Sequence, residues 1–149
     1  MPLVKCDTCR LAPLAGCPAN IKQQDEGRDW PLRHVVIDCP DPLRLATFYS
    51  ELLGSEITYR SDNWIVVSTS TQASGLAFQL APDHRPPRWP DPENPQQFHR
   101  DVMVKDVAAA GSRVLALGAT KLPGSDVYAD PAGHPFCLIR RPAWAESIT

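Results

Sequence analysis

Residues 33–54 read RHVVIDCPDPLRLATFYSELLG. The first seven, Arg33–Cys39, are dominated by β-branched side chains and predict a strand. Asp41-Pro42 follows, an N-cap residue and then proline at the first helical position, where the missing N–H costs nothing. Leu45, Tyr49, Leu52 and Leu53 fall at i, i+4, i+7 and i+8, which places them on one helical face. Gly54 is the expected left-handed stop. Three further strand candidates succeed the helix: Glu56–Tyr59, Trp64–Ser68 and Gly75–Leu80. The unit is therefore βαβββ.

Residues 98–118, FHRDVMVKDVAAAGSRVLALG, repeat this plan. Phe98–Val104 is strand-like, Asp106 is a cap, Val107, Ala110, Val114 and Leu117 share a face, and Gly118 ends the helix. Three short strands are expected after it, over Thr120–Leu122, Asp126–Ala129 and Pro135–Arg140, with Asp130-Pro131-Ala132-Gly133 as the turn before the last. His34 and His99 each precede their capping aspartate by seven positions. A shared histidine, cap and stop in the same order predict a duplicated module, about 31–80 and 97–142. Residues 81–96 between them carry prolines at 82, 86, 87, 90, 92 and 95, so they cannot join a ladder and form a linker or flap. Residues 1–30 show no sustained periodicity. They are expected to be a weakly structured extension in which Cys6, Cys9 and Cys17 either hold a metal or redox pair or are incidental thiols. Residues 143–149 form a tail.

The composition narrows the range of partners. Among 149 residues, 43% are hydrophobic and the formal net charge is -2. A nearly neutral chain has no built-in attraction for nucleic acid or an anionic membrane, so neither partner is implied. No stretch approaches the ~20 apolar residues of a membrane span, and no secretory signal is visible. The five cysteines are an odd number, which together with these features suits a soluble cytoplasmic protein.

Alternation along the strands sorts the side chains into faces. Val35, Ile37, Cys39, Val102, Val104, Phe136 and Leu138 are expected under the helices. The opposite faces carry His34, Val36, Asp38, Ala77, Gln79, His99, Asp101, Met103, Cys137 and Ile139. Polar residues gathered in an apolar cup of Val36, Ala77, Met103 and Ile139 are what a site for an organic molecule looks like. Trp89 in the linker is either a staple onto the core or a wall of that cup. His134, after the turn glycine, either caps the turn or reaches the rim.

The order βαβββ–βαβββ, the histidine opening each module and Asp130-Pro131-Ala132-Gly133-His134 before the last strand resemble the vicinal-oxygen-chelate superfamily. That superfamily includes glyoxalase I, extradiol dioxygenases and bleomycin-binding proteins. Trp89-Pro90-Asp91-Pro92, Gln96-Gln97-Phe98-His99 and Ala132-Gly133-His134-Pro135-Phe136-Cys137-Leu138 look like its bacterial glyoxalase-like branch. The resemblance implies an α+β fold: two βαβββ modules forming a curled, mixed or antiparallel sheet around a central cavity, helices outside, in a homodimer. It also implies metal ligands from the first, fourth, fifth and eighth strands, which map here to His34, Gln79, His99 and Cys137. Glyoxalase I has glutamates where Gln79 and Cys137 stand. With no carboxylate expected at the site, neither glyoxalase I nor dioxygenase activity is predicted.

Two readings follow. In one, a divalent metal, zinc by the imidazole and thiol donors, assists a lyase- or isomerase-like reaction on a small oxygenated molecule. In the other, the pocket is metal-free and Val36, Ala77, Trp89, Met103 and Ile139 sequester an organic guest, as in bleomycin-resistance proteins. No catalytic residue is assigned by the sequence.

Overall fold

The computed structural model describes residues 31–146. The expected extension over 1–30, with Cys6, Cys9 and Cys17, lies outside the described residues, as do the last three residues of the tail. The element order is β1 (His34–Cys39), α1 (Pro42–Leu53), β2 (Glu56–Arg60), β3 (Trp64–Ser68), β4 (Gly75–Leu80), β5 (Arg100–Val104), α2 (Val107–Ala116), β6 (Thr120–Lys121), β7 (Val127–Ala129) and β8 (Pro135–Arg140). This is βαβββ twice. No helix among the described residues is long and apolar enough to cross a membrane.

Both helices start as their sequences dictate. The Asp41 carboxylate accepts from the Arg44 N–H at 3.0 Å, and the Asp106 carboxylate accepts from the Ala109 N–H at 3.0 Å. Each side chain satisfies a backbone donor that has no partner inside the helix. Gly54 closes α1 at φ 64°.

The strands form two four-stranded sheets, in the orders β1-β4-β3-β2 and β5-β8-β7-β6, rather than one continuous curled sheet. Each is mixed: β1 runs parallel to β4, β5 runs parallel to β8, and the remaining pairs are antiparallel. β1 and β5 therefore each form an edge. The opening strand of the second module is shorter than expected, because β5 begins at Arg100 and leaves Phe98 and His99 just ahead of it.

The helix-side faces merge into one core. Ile37, Leu45, Tyr49, Phe78 and Val114 join Phe136 and Leu138 there. Phe48 of α1 meets Phe136 of β8 edge-on at 5.9 Å, so the two modules share aromatic contacts. Burying each such ring contributes roughly 1.5–3 kcal/mol relative to exposure.

An arginine pins the last hairpin turn of each module. Arg33, just before β1, donates to the carbonyls of Thr71, Gln72 and Ala73 in the β3–β4 turn at 2.6–3.3 Å. Arg100 in β5 donates to the Asp130 carboxylate at 3.1 Å and to the Pro135 carbonyl at 3.4 Å, next to the β7–β8 turn. Asp130 is buried, and it also accepts from the backbone N–H groups of Ala132 and His134 and pairs with the His134 ring at 3.2 Å.

The linker lies along this second turn. The His84 ring faces the His134 ring at 4.6 Å, and its Nε2 lies 3.2 Å from the Ala132 carbonyl. Trp89 donates through its indole N–H to the Pro123 carbonyl at 2.8 Å. Trp89 is thus a staple onto the β6–β7 connection, and the His134 ring buttresses the turn.

Candidate functional site

The open faces of the two sheets carry the residues singled out above. On β5 and β8 the parallel register sets Asp101 opposite Cys137 and Met103 opposite Ile139. His99 stands two positions before Asp101, on the same face. Its Nε2 is 3.4 Å from Asp101 Oδ1. One donor atom each from His99, Asp101 and Cys137 lies within 4.8 Å of the others. His99 and Asp101 are exposed, and Cys137 is half-buried. Burial pushes the Cys137 thiol up, and the negative charges of Asp101 and Asp126 push it the same way. The thiol is therefore neutral near pH 7.

Asp101 corrects one expectation from sequence. The site was expected to lack a carboxylate, yet one stands beside His99. Alternation places Asp101 on this face, at a position that the resemblance does not map to a ligand.

On β1 and β4 the outcome differs. His34 is half-buried at the start of β1, its ring edge-on to Trp64 at 6.4 Å. It is not part of the His99 cluster. With Tyr59, Trp64, Asn63, Thr58 and Val66 it lines a recess of about 550 Å³. Gln79 is exposed on the same face, opposite Asp38 on β1 and Trp64 on β3. His34 is level with Gly75, so Gln79 sits four rungs further along, about 13 Å at strand rise. The structure does not bring those two side chains together.

The register identifies the true counterparts. His99, Asp101 and Cys137 occupy in the second module the positions of His34, Val36 and Ala77 in the first, since Asp101 faces Cys137 as Val36 faces Ala77. The second module carries three donors; the first carries one histidine and an apolar wall. Val36 is 46% exposed, whereas Ala77 is fully buried. A second cleft, of about 460 Å³, lies between Val36 and Asp38 on β1, His84 and Pro86 of the linker, and Phe98 and His134.

The sequence pattern of the glyoxalase-like domain matches residues 34–139, most of the chain. The chain belongs to the glyoxalase-like domain family. Solved structures agree on the fold of this glyoxalase-like protein. It is similar to a glyoxalase-related enzyme from Fulvimarina pelagi, with 18% identity and a TM-score of 0.59 over 78% of this chain and 92% of that one. It is similar to a glyoxalase/bleomycin resistance protein/dioxygenase family enzyme from Burkholderia phytofirmans PsJN, with 19% identity and a TM-score of 0.55 over 74% and 98%. The glyoxalase I of Leishmania major, a trypanothione-dependent enzyme, shares 16% identity with a TM-score of 0.52 over 74% and 86%. No curated protein sequence matches the chain.

The donor chemistry of the His99 cluster suits a metal. Imidazole, carboxylate and thiolate are all zinc ligands, and three protein ligands leave a position for substrate, as in catalytic zinc sites. Iron(II) sites of the dioxygenase type use two histidines and a carboxylate, and the cluster holds one histidine.

Proposed function

We propose that this glyoxalase-like protein binds a small oxygenated organic molecule and acts on it in a lyase- or isomerase-type reaction assisted by a divalent metal, zinc by preference, held by His99, Asp101 and Cys137. The convergence of these three donors carries the reading. When bound, zinc would polarise a substrate oxygen. The chain's own residues do the rest. Asp101 stands 3.4 Å from the His99 ring, so the two donors face the same point. A carboxylate beside an imidazole can also take up and return a proton, which a site of Gln79 and Cys137 alone could not do. Met103 and Ile139 supply the apolar wall.

The same reading assigns His34, Val36 and Gln79, with Ala77 buried beneath them, to the opposing wall, supplied by a second copy in a cytoplasmic homodimer. In support, β1 and β5 are unpaired sheet edges, and Val36, Tyr59 and Phe98 are exposed on or beside those faces.

A metal-free binding protein is the second reading. The recess beside His34, walled by Trp64 and Tyr59, favours it, because a cavity of several hundred Å³ with aromatic walls suits an organic guest. Metal content decides between the two. Protein purified without chelator should contain about one zinc per chain by mass spectrometry, and His99→Ala and Asp101→Asn should lose it. Metal-free wild-type protein that stays empty under added zinc would overturn the first reading and leave the second.

A further inference from the structure

Gln96, the last linker residue before Gln97-Phe98-His99, lies against the imidazole on the side away from Asp101. Its Nε2 is 3.2 Å from His99 Nδ1. Its Oε1 is buried and has no hydrogen-bond partner among the described residues. A buried amide oxygen without a donor is costly.

The two ring nitrogens of His99 have separate neighbours: Nδ1 meets Gln96, and Nε2 meets Asp101 at 3.4 Å. A neutral imidazole carries its proton on one nitrogen only. With the amide N–H donating to Nδ1, the proton must be on Nε2, which lies 3.4 Å from Asp101 Oδ1. In that state Nε2 has no lone pair for a cation. Half a turn of the amide about its terminal bond exchanges nitrogen and oxygen at one place. Oε1 then accepts from Nδ1–H, the amide nitrogen moves into the buried place that Oε1 leaves, and the His99 Nε2 is left bare toward Asp101 and Cys137. The ring keeps one proton throughout; it leaves Nε2 to solvent and another is taken up at Nδ1.

We infer that Gln96 is a positioning residue that sets the tautomer of His99, holding Nε2 protonated in one amide orientation and freeing it for a divalent cation in the other. This rests on the proposal that the cluster binds zinc. It adds that a residue outside the cluster selects which nitrogen is offered, the role that hydrogen-bond acceptors behind metal-bound histidines commonly play.

The test uses the full chain, labelled with ¹⁵N, in long-range ¹H–¹⁵N spectra of the imidazoles at a pH where they are neutral. Metal-free wild type should show His99 protonated at Nε2. Gln96→Glu, which can only accept, should move the proton to Nδ1 without any metal. Gln96→Leu should give a mixture of tautomers. Circular dichroism confirms that each variant is folded. With zinc chloride as probe, Gln96→Leu should bind 10–100-fold more weakly, the usual loss when such a partner is removed, and Gln96→Glu should restore the affinity. Unchanged tautomers in both variants would overturn the inference, whatever the zinc result. If wild type takes up no zinc but the tautomer still follows residue 96, the control of the tautomer by Gln96 stands, and the metal reading falls together with the cation half of the inference.

Discussion

Tyr49 in α1 donates its phenolic proton to Asp130, 81 residues away in the β7–β8 turn, at 2.9 Å. Both groups are buried, and the bond joins the helix of one module to the turn of the other. Asp130 also holds Arg100, whose guanidinium lies 5.1 Å from the centre of the Tyr49 ring. Removing the phenol alone should leave the carboxylate its remaining partners. Tyr49→Phe is therefore expected to cost about 1–3 kcal/mol in urea unfolding. Asp130→Ala should cost more, roughly 3–5 kcal/mol, because it strands a buried arginine. Equal losses for the two variants would show that the charge is not the centre of this contact.

The same carboxylate sets an acid limit. Burial would raise the Asp130 pKa, but the His134 hydrogen bond and charge, then the Arg100 charge, outweigh it and hold the carboxyl below the usual range. A group with a depressed folded pKa stabilises fully above its unfolded value, ~3.9 for aspartate, and loses that contribution as pH falls through the folded value. Wild type should therefore lose stability on acidification below about pH 4, and Asp130→Asn should show a flatter acid limb. An Asp130→Asn curve parallel to wild type across that range would contradict this.

Zinc uptake should depend on pH in the same sense as at a simple exposed carboxylate site, but over a higher range. The Cys137 thiol is held protonated by burial and by Asp101 and Asp126, so a cation must displace its proton. Affinity should rise from pH 6 to pH 8, with protons released to a pH-indicating dye as zinc is added. Cys137→Ser should weaken binding and flatten the slope. A pH-independent affinity in wild type would exclude Cys137 as a ligand.

Gly133 tests the seating of the linker. It adopts φ 91°, and a Cβ there would come within 2.5 Å of the Pro86 side chain. Gly133→Ala should both strain the turn and push the linker off it, with faster proteolysis between residues 81 and 97. Its global cost should be about 1–3 kcal/mol. Unchanged cleavage would mean that the linker is held elsewhere, with Trp89 on Pro123 the obvious anchor.

Much of the fold was legible because it depends on local rules. Asp41, Pro42 and Gly54 bracket α1 as expected, and alternation separated Ile37 and Cys39 from Val36 and Asp38. The site was harder to read. Gln79 was placed on the correct face but two rungs beyond Ala77, the counterpart of Cys137; a period of two cannot reveal a slip of two. Alternation puts Asp101 on the open face, but its closeness to Cys137 depends on the β5–β8 register, which has no local signature. The strand pairing that separates the β1 sheet from the β5 sheet, and so divides His34 from His99, is long-range and has no local signature. Nor could a sequence pattern show that Trp89 would find the Pro123 carbonyl.

The two arginine clamps have a consequence for how the duplicated halves age as a pair. Arg33 grips its hairpin through three backbone carbonyls at the surface, receivers that every sequence provides and no proton can switch off. Arg100 grips its hairpin mainly through one buried side chain, Asp130. The first fastening tolerates drift in the turn it holds, because substituting Thr71, Gln72 or Ala73 leaves the receiver in place. The second is all-or-none and hostage to a single codon. Mutational tolerance should therefore be lopsided between halves that share one blueprint, and the brittle half is the one that carries the donors.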